Sequence, residues 1–169
     1  MSVQRRSFVS FFFGMSLLPV LGMAAALPSP SGSVLLEVSG AISELNGDAV
    51  ANFDRDMLEA LDWVEVQTFT SFTEGPQTFA GPTLASLLAA VGASGGTIRA
   101  TAVNDYSVNF PASHAEAHNV ILALDRNGQP MRVRDKGPIW VVYPLSEQEA
   151  EKQPFDDQMI WQLIRIRIE

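Results

Sequence analysis

Cysteine is absent from the 169-residue sequence. Without a thiol there is no disulfide, no thiolate nucleophile and no thiolate metal site, so the chain must hold together by packing. Histidine is nearly absent too, with only His114 and His118. Their i, i+4 spacing on a predicted short helix can bring two imidazoles to one metal, but no third ligand accompanies them and Glu116 faces elsewhere. Two polar residues on a helix surface are the simpler expectation. Cations are sparse: 11 Lys and Arg stand against 19 Asp and Glu, a net charge of −8. Such a surface repels nucleic acid and anionic lipid. Neither a Gly-x-Ser-x-Gly elbow nor a phosphate loop occurs, which leaves most familiar enzyme classes without support.

One long apolar run is present, Phe8 to Leu21, preceded by Arg5-Arg6 and followed by Ala24-Ala25-Ala26. A charged start, an apolar centre and small residues at a cleavage point make an export signal, and the run is short for a membrane span. Residues 1–26 are therefore expected to be a signal peptide, with a mature chain from Leu27 in the periplasm that does not insert in the membrane; an uncleaved anchor is the alternative. Gln4-Arg5-Arg6-Ser7-Phe8-Val9 suits the twin-arginine route and the apolar run suits the ordinary secretory one. Losing two arginines and no acids takes the charge from −8 to −10.

Residues 27–33, rich in Pro, Ser and Gly, predict a flexible lead-in to a domain spanning 34–169. Val34 to Ile42 reads as a strand. Phe53, Met57, Leu58 and Leu61 recur at helical spacing with Asn52 as the cap. Trp63 to Phe72 alternates as a second strand. Leu84, Leu87, Leu88 and Val91, after Gly81-Pro82 and before Gly92, define the clearest helix. Thr97 to Phe110 is extended, and Pro111 to His118 is a short helix. Val120 to Leu124 and Met131 to Val133 flank a turn, and Ile139 to Val142 and Ile160 to Ile168 complete the strands. Ser146 to Asp157, polar and acidic, reads as a surface loop. The pattern predicts an α+β domain with mixed or largely antiparallel sheets and a few short helices.

Two polar clusters interrupt this pattern. Asn104-Asp105-Tyr106-Ser107 breaks an apolar strand region, and Arg134-Asp135-Lys136-Gly137-Pro138-Ile139-Trp140 mixes charge with a Gly-Pro turn and an aromatic. A strand-end turn and a hairpin explain each of them, and Trp140, Trp161, Tyr143 and Phe72 serve equally as core residues.

The order of these segments carries a resemblance. Phe79-Ala80-Gly81-Pro82-Thr83-Leu84, then Asn104-Asp105-Tyr106, Gly128-Gln129-Pro130-Met131, Lys136-Gly137-Pro138-Ile139-Trp140 and Trp161-Gln162-Leu163 resemble the oxidoreductase molybdopterin-binding domain of the sulfite oxidase type. The resemblance implies that fold. It also implies a molybdenum-ligating cysteine after the second strand, where this chain has Thr68-Phe69-Thr70-Ser71-Phe72. A neutral hydroxyl is a poor substitute for a thiolate. The sequence is closer to a short, exported, cysteine-less branch that includes periplasmic pterin-binding proteins of the PruR type. That branch implies binding of a reduced pterin without turnover, and control of a membrane cyclic-di-GMP enzyme through the periplasmic domain of a GGDEF/EAL protein. The alternatives are a molybdopterin-dependent oxidoreductase, or its remnant, that binds the molybdenum cofactor, and an interaction domain without a ligand.

A pterin is flat and offers paired N–H donors along one edge. The expected site is therefore Trp161, Trp140 or Phe72 for stacking and Asp105 or Asp135 for the edge. Asn104, Tyr106 and Ser107 would satisfy the remaining ring atoms, with Thr68, Thr70 and Lys136 alongside.

Overall fold

A computed structural model describes residues 27–169, so the expected signal peptide lies outside the described residues. Among the described residues no helix is long and apolar enough to cross a membrane. Eleven strands are described: β1 Leu36–Gly40, β2 Val50–Phe53, β3 Trp63–Thr68, β4 Gln77–Pro82, β5 Thr97–Ala102, β6 Ser107–Pro111, β7 Ile121–Ala123, β8 Asp125–Arg126, β9 Gln129–Pro130, β10 Trp140–Val142 and β11 Leu163–Ile168. The helices are α1 Arg55–Glu59, α2 Leu84–Ala90, α3 His114–Ala117 and α4 Glu147–Ala150.

The strands form three sheets: β2-β1-β11-β5-β6, β3-β4-β8-β9, and the pair β10-β7. Among the described residues only β1 and β11 pair in parallel, with Val38 opposite Ile166, and the other strand pairings are antiparallel. This is the expected α+β architecture. In the five-stranded sheet alternate residues such as Leu36, Val38, Ile98, Ala100, Ile166 and Ile168 are fully buried on one face, while Arg99, Arg165 and Arg167 face solvent on the other. One-sided burial is what a period of two gives when a single face packs.

The β7–β10 pair is buried on both faces, and it divides the apolar residues into two clusters. Leu122, Val141 and Tyr143 belong to the larger one, with the five-stranded sheet and α2. Ile121, Ala123, Trp140 and Val142 point the other way onto Phe79 and Met131. Gly81 lets β4 cross close to β7, since a Cβ there would collide with the Leu122 carbonyl.

Several expectations change. Phe53 matched the helical spacing but ends β2, and the cap of α1 is Asp54, whose side chain accepts from the Met57 N–H at 2.9 Å. Asn52 instead accompanies β2 and bonds Asn46. The second oxygen of Asp54 accepts from the N–H groups of Ser31 at 2.7 Å and Gly32 at 2.8 Å. These bonds, from Met57 first and then Gly32, hold the Asp54 carboxyl below the usual carboxylate range. The segment 27–33 is therefore tied down, with Leu27 packed on the core.

β4, which the sequence pattern leaves unassigned, runs through Gly81-Pro82 up to the start of α2. The turn at Asn127-Gly128 is the tip of the β8–β9 hairpin, and Val133–Asp135 is a 3-10 turn rather than part of a strand. The loop from Ser146 opens with α4, which a reciprocal Ser146/Glu149 capping box starts.

The two histidines pack into an aromatic group and are not the free surface residues expected. His114 Nδ1 lies 3.0 Å from the Tyr143 hydroxyl, and Phe155 stacks on Tyr143 at 4.3 Å with His118 against its other neighbours. Among the described residues no group of three or more candidate ligands gathers around a metal-sized site. Burial, then the neighbouring His118, depresses the His114 pKa, and burial raises that of Tyr143.

A depressed histidine pKa has a defined sign. Below about pH 6.5 the unfolded chain takes up a proton at His114 that the folded chain resists, so stability falls as pH drops through that window. Urea midpoints measured from about pH 7.5 down to about pH 5 should decline, and the decline should be shallower in His114→Gln. An equal slope in both proteins would remove His114 as its source.

Candidate functional site

A cleft of about 570 Å³ opens where three segments meet. The loop after β3 contributes Phe72, the β5–β6 turn contributes Asn104 and Tyr106, and the chain approaching β11 contributes Gln153, Asp156, Asp157, Met159, Ile160, Trp161 and Gln162. Ala102 forms part of the floor. Its size suits a small organic ligand, and its mixture of apolar surface with a few polar groups is typical of such sites.

Trp161 faces this cleft for a local reason. Gln162 adopts a left-handed conformation, φ 56°, and the register of β11 on β5 shifts between Leu163 and Arg165. The backbone there is pinned on three sides: Gln162 N–H donates to the Lys136 carbonyl at 3.1 Å, Val103 N–H donates to the Gln162 carbonyl at 2.9 Å, and the Gln162 side chain donates to the Val133 carbonyl at 2.8 Å. The kink turns Trp161 out of the alternation that buries Leu163 and Ile166. It is 37% exposed, whereas Trp140 is fully buried.

Behind Trp161 lies a cage for a cation. The Lys136 ammonium stands over the rings of Trp161, Trp140 and Phe72, at 4.4, 4.7 and 5.2 Å from their centroids. Phe72 meets Trp161 edge-on at 5.1 Å. Burial, with Arg126 adding like-charge repulsion, lowers the Lys136 pKa, while the negative ring faces act in the opposite sense. Lys136 makes one long hydrogen bond, 3.4 Å to the Phe72 carbonyl. It therefore fixes one face of the Trp161 ring from within the protein.

The expected site residues divide. Phe72, Asn104, Tyr106 and Trp161 line the cleft, and Lys136 lies behind it. Trp140 is core: it has no exposed face, and its indole N–H donates to the Met159 carbonyl at 3.0 Å. Asp105, at φ 62°, swings away to pair with Arg165 at 2.6 Å, and Ser107 bonds Thr101 on that same outer side. Asp135 sits beside Arg134 at 3.6 Å and lines none of this cleft. Thr70 bonds Thr73 and caps the Phe72 N–H on the neighbouring loop.

Thr68 is the plainest correction. It is fully buried, and its hydroxyl accepts from the Leu145 N–H at 2.6 Å while facing the Leu145 and Tyr143 carbonyls at 3.0 and 3.4 Å. This hydroxyl staples the end of β3 to the segment leaving β10, and it offers nothing to a ligand.

The carboxylates on the cleft are Asp156 and Asp157, which the sequence placed in a surface loop. Ser71 donates to Asp156 at 2.6 Å and so joins that wall to the Phe72 loop. The available signal was Phe155, a lone aromatic in an acidic stretch, because an apolar anchor there means that the stretch is docked.

No protein-family model and no curated protein matches the chain. Among solved structures, the chain is similar to the sulfane dehydrogenase SoxCD from Paracoccus pantotrophus, with a TM-score of 0.61 and 18% sequence identity. The fold is of the sulfite oxidase type. The match covers 85% of this chain and 40% of that one, so this chain spans about two fifths of the neighbour's length. At that identity the likeness is one of architecture, a distant relation to the oxidoreductase molybdopterin-binding fold.

Thr68→Val keeps the shape of the side chain and removes the hydroxyl, leaving the Leu145 N–H buried without a partner. The change should cost about 1–3 kcal/mol of stability in urea melts. A neutral outcome would show that the staple adds nothing to the join between β3 and β10.

Proposed function

We propose that the chain binds a pterin in this cleft, in its reduced form and without turnover. The observation that carries the proposal is a half-exposed tryptophan, Trp161, on a cleft of about 570 Å³ that also holds two carboxylates. The flat ring stacks on the open face of Trp161, with Phe72 at its edge. Asp156 or Asp157 accepts the paired N–H donors of the amino-pyrimidinone edge, the role first expected of Asp105 or Asp135. Asn104 and Tyr106 reach the remaining ring atoms.

The fold likeness also supports a second reading, an oxidoreductase that carries the molybdenum cofactor. The donor set does not fit it. The sequence has no cysteine, and the Thr68 hydroxyl at the corresponding place is consumed by main-chain groups. A molybdopterin phosphate would meet Asp156 and Asp157 on a cleft whose lining contains no Lys or Arg. No oxotransfer step is derived for this chain.

The compartment and partner belong to the same proposal. The arginine-led apolar segment at 1–26 supports export to the periplasm. The ordered motif resemblance supports a regulatory role toward the periplasmic domain of a membrane GGDEF/EAL protein.

Mass spectrometry of small molecules released from natively purified protein should find a pterin, and metal analysis should find no stoichiometric molybdenum. In fluorescence titrations Trp161→Ala should weaken pterin binding by about 1–3 kcal/mol, the worth of one aromatic stacking contact. Its thermal midpoint should change little, because the side chain is not fully buried. Undiminished affinity in a folded Trp161→Ala protein would remove Trp161 from the site, and stoichiometric molybdenum would favour the second reading.

A further inference from the structure

The solvent face of the five-stranded sheet carries a second feature, separate from the cleft. Arg167 on β11 stands directly opposite Arg99 on β5, and Arg165 is opposite Thr101 in the next row. Ser39 on β1 flanks Arg167, and Ser107 on β6 flanks Thr101. These six residues, with Asp105 and Ile166, line a depression of about 340 Å³.

Like charges on directly opposed strand positions destabilise a sheet. The placement is costly in a chain whose net charge is −8 and which has acids in excess to set opposite an arginine. The row Ser39, Arg167, Arg99, Asn109 contains no carboxylate. Asp105, the carboxylate on the lining, is taken up by Arg165 at 2.6 Å, while Glu37 flanks Arg165 on β1 and Glu169 lies 3.6 Å from a well-exposed Arg167. Among the described residues Arg99 makes no ion pair.

We propose that this face binds the phosphate group of a small soluble ligand between Arg99 and Arg167. An oxyanion there turns the repulsion between two guanidinium groups into two charge-assisted contacts, and the planar forks match its oxygens. The Ser39 hydroxyl adds a donor from β1, and the Thr101–Ser107 pair, bonded to each other at 2.9 Å, leaves one further hydroxyl proton to offer an oxyanion. The depression is too small for a folded partner, and the acidic remainder of the protein repels an anionic bilayer. The site does not depend on the ligand of the cleft. Asn104 and Tyr106 of the β5–β6 turn line the cleft, whereas Asp105 and Ser107 line this face.

The test is a titration of the full mature chain with inorganic phosphate against chloride at matched ionic strength, read by calorimetry and by thermal melts. Wild type should bind saturably and melt higher in phosphate. Arg99→Gln should melt no lower than wild type in chloride, because a repulsion is removed. Its phosphate binding should be weaker by about tenfold or more, the loss of one charge-assisted contact. Arg132→Gln, a change at an exposed arginine outside the depression, should behave as wild type. Vesicles of phosphatidylglycerol should not sediment the protein. Absence of saturable binding in wild type, equal phosphate affinity in Arg99→Gln, or sedimentation by vesicles without a response to phosphate would each overturn the proposal.

Discussion

The last strand of the chain closes its principal sheet. β11 lies between β1 and β5, so the five-stranded layer exists only once the C-terminal residues have reached the first strand, and Val38 meets Ile166 across a parallel pairing that spans nearly the whole domain. Contacts this distant in sequence pay loop-closure entropy before they return any burial. The apolar alternation Leu163, Ile166, Ile168 supplies that burial, and a slip of one residue would turn the intervening arginines into the core. The pairing also fixes what lies at each end and on each face of β11. Trp161 precedes its first residue, and Arg165 and Arg167 line its outer face. One strand thus sets both the aromatic platform of the cleft and the cationic row.

Thr68 is committed to the fold itself. The sequence resemblance implies a metal-ligating cysteine at that point, and such a ligand would have to face the cavity. Here the side chain turns inward and satisfies the main chain of Tyr143 and Leu145, a use that a threonine hydroxyl serves well with its one donor and two lone pairs. The loop's contribution to the cleft is Phe72, four residues onward. Lys136 stands beside it. It projects from a left-handed residue, φ 73°, into three aromatic rings and supports the Trp161 platform from behind.

Legibility in the sequence followed the strength of local periodicity. α2 was readable because Leu84, Leu87, Leu88 and Val91 repeat on one face and Gly92 follows, and the alternations of β3 and β11 were readable for the same reason. β4 was not, because its Gly81 and Pro82 are turn residues by composition. They are tolerated there because Gly81 crosses β7 and Pro82 ends the strand. Phe53 fitted the helical spacing of Met57 and Leu61, but the cap geometry at Asp54 decided the boundary. At the cleft, Phe72, Asn104, Tyr106 and Trp161 are residues that composition singled out and the fold brings together. Composition could not separate Asp105 from its neighbours, since the positive φ that aims Asp105 at Arg165 leaves no mark on the sequence. Asp156 and Asp157 were hidden because an acidic stretch reads as solvated unless something docks it.

What docks that stretch is the Phe155 ring, stacked on Tyr143 at 4.3 Å in the same aromatic group as His114 and His118. The acidic wall of the cleft is therefore attached in different ways, among them an apolar contact at Phe155 and a polar one from Ser71 to Asp156. The apolar attachment is half-buried and packs on a histidine whose protonation the packing resists. The polar one is exposed and weak by comparison. Trp161 and Phe72, in contrast, are braced by β11, by the caged lysine and by each other. The cleft thus joins an aromatic side braced within the sheet to an acidic side docked through Phe155 before it and through Met159 and Ile160 after it, whose carbonyls accept from the Trp140 indole and the Val141 N–H.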